Sequence, residues 1–248
     1  MSRHWNNIKL KKLALDKERS KGYTKVLRDI FIAVKTGGAD PDVNFRLKMA
    51  LQKSKEINLP KDNIERAIKK AQGEGTENYF DVNYELYGVD GIALFVEAST
   101  NNPTRTISNI RSYLNKWEGS IGKEGCLQFV FERKAMFTIK QESQEPQESI
   151  DVDELTLQLI DVGAEDVSAE EGFITIKGEV ENYGAIQKKL DDLKIKIEES
   201  GLERLPLMYK AASNKDNYQR ILKFAEALEG DDDVRQVYHN MEYNESFS

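Results

Sequence analysis

A single cysteine, Cys126, excludes an internal disulfide. With only two histidines beside it, a metal site built from His and Cys is not expected. Such sparing use of thiols fits a reducing cytoplasm. No stretch reaches the roughly 18 apolar residues that a bilayer crossing needs. Met1 to Lys12 is polar and basic where a signal peptide would carry an apolar core. A phosphate-cradling glycine loop, a dinucleotide glycine fingerprint and a nucleophile elbow are all missing. These absences exclude a membrane span and remove the machinery of most enzyme classes. We expect no cofactor, no metal and no small-molecule substrate.

What the chain has is charge, unevenly placed. The first 75 residues hold eighteen Lys and Arg against nine Asp and Glu, a net of +9. The other 173 hold eighteen against thirty-four, a net of −16, so the overall −7 conceals two opposed regions. A basic head on an acidic body suits an anionic partner, foremost a nucleic-acid backbone whose condensed counterions clustered Lys and Arg displace. The plainer reading is a helical bundle with solubilising lysines.

At 248 residues there is room for two or three domains. Met1 to Lys21 reads as a basic arm that Gly22 ends. A helix follows over Tyr23 to about Lys35, with Tyr23, Leu27, Ile30, Phe31 and Val34 on one face, stopped by Gly37 and Gly38. Asp40-Pro41 predicts the start of a second helix, running to about Lys55 and burying Val43, Leu47, Ala50 and Leu51. Pro60 opens a third, with Ile64, Ala67, Ile68 and Ala71 inward and Gly73 as its stop. The tract Gly73-Glu74-Gly75 reads as a linker.

Beyond Tyr79 strands enter. Tyr84 to Tyr87 and Ile92 to Ala98 are predicted strands joined at Asp90-Gly91, and Thr106 to Trp117 an amphipathic helix. Leu127 to Phe131 and Met136 to Ile139 read as two strands, and Gln141 to Glu148 as a loop. Ile150 to Val162 is a predicted helix, Phe173 to Lys177 a strand and Tyr183 to Leu193 a helix. Pro206 sits near a short strand, Tyr218 to Leu228 is a helix, and Val234 to His239 a strand. Short elements and tight turns favour α+β over a large parallel sheet.

Few residues invite chemistry. Cys126, at the start of a predicted strand, reads as a small buried hydrophobe. Asp231-Asp232-Asp233 could gather a cation but reads better as a solvated turn, and so does Glu170-Glu171. His239 has no evident catalytic partners, and His4 lies in the arm.

The basic head is more telling. Lys17, Lys21, Lys25 and Arg28 recur at steps of four, four and three, and would share a face if helix ran through Gly22. Arg3, Lys9, Lys11, Lys12 and Arg19 add charge suited to phosphate. Asn7 could bond a backbone or a base edge. Trp5 could stack on an exposed base, or equally anchor the arm to the protein's own core. The loop Ser99 to Arg105, with Asn102 and Arg105, could hold a phosphate at a helix start; plain N-capping is the simpler reading.

Trp5-x-Asn7-Ile8-x-x-x-Lys12 near the start and Asn58-Leu59-Pro60-Lys61-Asp62-Asn63-Ile64-Glu65-Arg66-Ala67-Ile68 at the third helix resemble the opening and the third-helix signature of the YebC/PmpR family. Tyr84-Glu85-x-x-Gly88, Asn102-x-x-Arg105-Thr106, Gly119-x-Ile121-Gly122, Gly125-x-x-x-Phe129-x-Phe131 and Asp233-Val234-x-x-Val237-Tyr238-His239-Asn240 follow in order. The opening Ser2-Arg3-His4-Trp5-Asn6 is closer to the YeeN-type branch, and Tyr87 to Gly91 lacks the family's usual proline.

The resemblance implies an α+β protein with a three-helix N-terminal domain and two small α+β domains, one inserted in the other. The expected divisions are 1–76, 77–131 with 206–248, and 132–205 for the insert. It further implies a cytoplasmic, non-enzymatic, DNA-binding transcriptional regulator. Family ties to mitochondrial translational activators and to relief of ribosome stalling supply the alternative, a translation factor on ribosomal RNA. The expected partner is therefore nucleic acid, promoter DNA or the ribosome, and no membrane. Its expected contacts are Arg3, Trp5, Asn7, Lys9, Lys11, Lys12, Lys17, Arg19, Lys21, Lys25, Arg28, Asn102 and Arg105.

Overall fold

Three helices, then two sheets each backed by two helices, account for most of the described residues. The structure, a computed structural model, describes residues 19–73, 79–141 and 150–247, and for 19–21 the backbone only. In chain order the helices α1 (Arg19–Gly37), α2 (Phe45–Glu56) and α3 (Lys61–Gln72) precede β1 (Phe80–Tyr87), β2 (Ala93–Thr100), α4 (Pro103–Trp117) and β3 (Ser120–Ile121). Then come β4 (Phe131–Lys140), α5 (Val152–Ile160), β5 (Ala164–Glu170), β6 (Phe173–Gly178), α6 (Tyr183–Asp192) and β7 (Ile197–Pro206). The chain closes with α7 (Lys215–Glu229) and β8 (Val234–His239). The architecture is α+β, an N-terminal helical region followed by two α+β portions, one inserted in the other.

In the helical region α1 is the centre. It packs against both α2 and α3, and Ile30 through Val34 are all buried. Gly22 does not break it: the helix begins three residues earlier and runs through, and a Cβ at Gly22 would meet nothing within 4 Å. Packing of the downstream stripe outweighs the roughly 1 kcal/mol helix penalty of one glycine. Gly38, at φ +84°, ends it, with its N–H on the Val34 carbonyl at 2.9 Å.

The second helix does not start at Asp40-Pro41. Those residues form a turn, with Asp42 N–H on the Asp40 carboxylate at 3.0 Å and Asn44 N–H on the Asp40 carbonyl at 2.9 Å. Asn44 is the true cap: its side-chain oxygen takes the Leu47 N–H at 3.1 Å. Its amide donates back to the carbonyls of Ala33 and Gly38, both at 2.7 Å. A Cβ on Gly37 would stand 2.8 Å from that amide, so glycine there makes room for the cap. Val43, expected inward, is 79% exposed because it precedes the helix.

The first sheet has strand order β3-β1-β2-β8, its pairs antiparallel. Asp90 (φ 58°) and Gly91 (φ 66°) make the turn between β1 and β2, as the Asp-Gly pair predicts. On one face Leu86, Leu94, Val96 and Val237 pack with Ile110 and Leu114 of α4 and Phe224 and Leu228 of α7. On the other, Ala93, Phe95 and Tyr238 meet Leu127 and Phe131. Burial on both sides explains the near-continuous apolar run of β2.

Leu127 to Val130 is not a strand. Buried Glu85 accepts the N–H groups of Gly125 (2.7 Å) and Leu127 (2.5 Å) and curls the segment into turns, so one strand, β4, starts only at Phe131. Cys126 is exposed on this turn, not buried.

The second sheet has order β5-β6-β4-β7. Its core joins Phe137 and Tyr183, ring centres 4.7 Å apart, with buried Leu155, Leu159, Ile174, Ile176, Ile186 and Leu190. The sequence reading missed β5, whose AEDVSAE run is polar because only Ala164 of it is fully buried. Arg133–Leu205 form one compact unit; the described residues up to Glu132 and from Pro206 form the other. Leu207 N–H donates to the Val130 carbonyl at 2.8 Å, so the chain leaves and re-enters the larger unit at adjacent points.

Candidate nucleic-acid interface

Of the expected contacts, Arg3, Trp5, Asn7, Lys9, Lys11, Lys12 and Lys17 lie outside the described residues. Arg19 and Lys21 fall in the first turn of α1. The remaining four, Lys25, Arg28, Asn102 and Arg105, are engaged within the protein itself.

Three of them, Lys25, Arg28 and Arg105, converge on the end of α7 and the acidic turn between α7 and β8. Arg105 Nη2 lies 2.7 Å from Asp233 Oδ2, and its Nε is 3.3 Å from the same oxygen. Thr106 Oγ1 (2.8 Å) and Thr100 Oγ1 (3.1 Å) donate to that oxygen too. Arg28 Nη1 reaches Asp233 Oδ1 at 3.4 Å, the Ser99 carbonyl at 3.2 Å and the Asp232 carbonyl. Lys25 Nζ donates to the Glu229 carbonyl at the end of α7, where a cation complements the helix dipole. Arg28 also lies over the Tyr79 ring, 5.4 Å from its centre.

Asp231-Asp232-Asp233 is therefore not a solvated turn. Asp233 is 2% exposed and Asp231 7%. Asp231 accepts from Asn109 Nδ2 at 2.9 Å and closes on the Asp233 N–H at 2.9 Å. Burial pushes the Asp233 carboxyl up. Hydrogen bonds from Arg105, Thr106 and Thr100, with the Arg105 charge, outweigh it and hold the group below the ordinary carboxylate range. Asn102 is the N-cap of α4, its Oδ1 taking the Arg105 N–H at 3.1 Å, with Pro103 in the first turn.

Other pairs tie the head to the first sheet. Arg46 holds Asp81 with two bonds of 2.8 and 3.1 Å, and Arg235 Nε sits 2.8 Å from Asp29. The cations turned outward lie elsewhere: Lys48, Lys53 and Lys55 on α2, and Lys61, Arg66 and Lys69 on α3, are exposed. Among the described residues no group of three or more His, Cys, Asp and Glu could hold a metal ion, and no helix is long and apolar enough to cross a membrane.

Two family models match in tandem. TACO1/YebC protein N-terminal domain covers residues 3–74, and TACO1/YebC second and third domain covers residues 79–241. The chain belongs to the TACO1/YebC family. Among its relatives, a probable transcriptional regulatory protein of Flavobacterium johnsoniae is 41% identical over 222 residues, 90% of this chain and 91% of that one. One of the same name from Clostridium beijerinckii is 38% identical over 250 residues, covering 100% and 99%. The crystal structure of a conserved hypothetical protein from Aquifex aeolicus superposes with a TM-score of 0.79 at 35% identity, covering 93% of each chain.

In this TACO1/YebC protein the sequence reading missed the outward lysines of α2 and α3. They belong to the +9 head, but the regular cation spacing lies in Lys17, Lys21, Lys25 and Arg28. The signal was available: Leu47, Ala50 and Ser54 mark the buried stripe of α2, which leaves Lys48, Lys53 and Lys55 outside it.

Proposed function

We propose that this protein is a nucleic-acid-binding regulator, and specifically a DNA-binding regulator of transcription that works in the cytoplasm without catalysing a reaction. The observation that carries the reading is the charge division: +9 over the first 75 residues against −16 over the rest. A polyanion approaching this chain is drawn to the head and repelled by the body. The names of the relatives, probable transcriptional regulatory proteins, support the regulatory part. In this reading the head, residues 1–76, faces the ligand; 77–131 with 206–248 form the central domain and 132–205 the insert. Arg3, Trp5, Asn7, Lys9, Lys11, Lys12, Lys17, Arg19 and Lys21 supply the arm's contacts.

The test is duplex promoter DNA titrated at a series of salt concentrations. Roughly six phosphate contacts give a slope of log K against log salt of about −5. A slope near zero removes the reading.

One observation favours a second reading, a translation factor bound to ribosomal RNA. The outward cations of α2 and α3 are, Arg66 apart, all lysines, and lysine meets phosphate without the forked geometry that reads guanine. Co-sedimentation with ribosomes at moderate salt, without retention on promoter DNA, would select it.

A further inference from the structure

We infer that the outward surface of α2 is a docking face for the phosphate backbone of a duplex nucleic acid, with Lys48, Lys53 and Lys55 as its contacts. The inference rests on the nucleic-acid reading and adds a contact that does not use Lys25 and Arg28 of α1. Lys25 and Arg28 are spent on the α7–β8 turn, where they meet backbone carbonyls and Asp233. Lys48, Lys53 and Lys55 are exposed and make no ion pair among the described residues. Charge of one sign dominates the helix: Glu56 is its only acid, and its first turn has none.

The geometry suits a rod-like ligand. Leu47, Ala50 and Ser54 face inward. At roughly 100° per residue, exposed Phe45 and half-buried Met49 and Gln52 then lie opposite that stripe, with the exposed Lys48 and Lys55 on one flank and Lys53 on the other. Lys48 and Lys55, seven residues apart, are separated by about 10 Å along the axis. A duplex presents a charge every ~1.7 Å, about twice the line density of a single strand, so flexible ammonium groups on both flanks find phosphates without a set register. The duplex is therefore the occupant that this charge complementarity favours.

The experiment compares the full chain with Lys48→Gln/Lys53→Gln/Lys55→Gln. A control, Lys123→Gln/Lys188→Gln/Lys215→Gln, removes the same charge from exposed positions outside the head. Each is titrated at several salt concentrations with a 30-base-pair duplex of arbitrary sequence and with a single-stranded RNA of equal length. Circular dichroism checks that each variant is folded. Loss of three phosphate contacts makes the duplex slope shallower by about 2 to 3, with ~10- to 100-fold weaker binding at low salt.

A change of about 1.5 or more in the α2 variant alone supports the inference. A smaller change, an equal change in the control, or an effect confined to the single strand overturns it. A slope near zero in the unaltered chain is a different failure: it removes the nucleic-acid reading and this face with it.

Discussion

Arg105 and Asp233, 128 residues apart in the chain, are joined through the guanidinium, whose Nη2 lies 2.9 Å from Oδ1 and 2.7 Å from Oδ2. The carboxylate is buried and the arginine side chain is half exposed. Thr100, Thr106 and Arg28 converge on the same acid, so one side chain fastens α1, the start of α4 and the turn before β8.

Asp233→Asn should cost about 2 to 4 kcal/mol, because it removes the charge and leaves Arg28 and the threonine hydroxyls without a full set of acceptors. Arg105→Gln should cost less, since Thr100, Thr106 and Arg28 still hold the buried carboxylate. Urea unfolding of both variants measures this; a larger loss for Arg105→Gln would show that the acid is not the anchor.

Acid should dissolve this joint. The folded Asp233 carboxyl lies below its ordinary value, so its contribution is complete above the unfolded value, about 3.9, and disappears as pH falls through the folded one. The stability gap between the unaltered protein and Asp233→Asn should therefore narrow below about pH 4. A gap that stays constant from about pH 5 to 3 would rule out this linkage.

Gly22→Ala should raise stability by about 0.5 to 1 kcal/mol, because the position is helical, sterically open and burdened by glycine's backbone freedom. Thermal unfolding should show a higher midpoint. A lower one would mean that the helix does not run through residue 22.

Gly88→Ala should act oppositely. A Cβ there would stand 2.4 Å from Ile221 Cδ1 and 3.3 Å from Leu94 Cδ1, both in the packed core. Forcing that contact should cost about 1 to 3 kcal/mol, read from the same unfolding curves.

Local chemistry was legible in the sequence, and distant partnership was not. The Asp90-Gly91 turn, the Gly38 helix stop and Pro103 in the first turn of α4 each follow from constraints within a few residues. Asp231 to Asp233 reads as solvated because a run of acids reveals nothing of Arg28 or Arg105, 205 and 128 residues earlier. Gly22 was misread for a related reason: an intrinsic penalty is visible, whereas the packing that overrides it is not. Strand β5 escaped notice because its outward residues supply no apolar alternation. Of the candidate interface, the sequence yields the sign and the region; which cations point outward needs the fold.

The narrow neck at Val130 and Leu207 bears on how this chain tolerates surgery. Since its two backbone crossings are neighbours, a short Gly-Ser bridge could replace residues 132–205 and leave every strand of the β3-β1-β2-β8 ladder with its own partners. Evolution or an engineer could exchange that module, or melt it, while the head kept its scaffold.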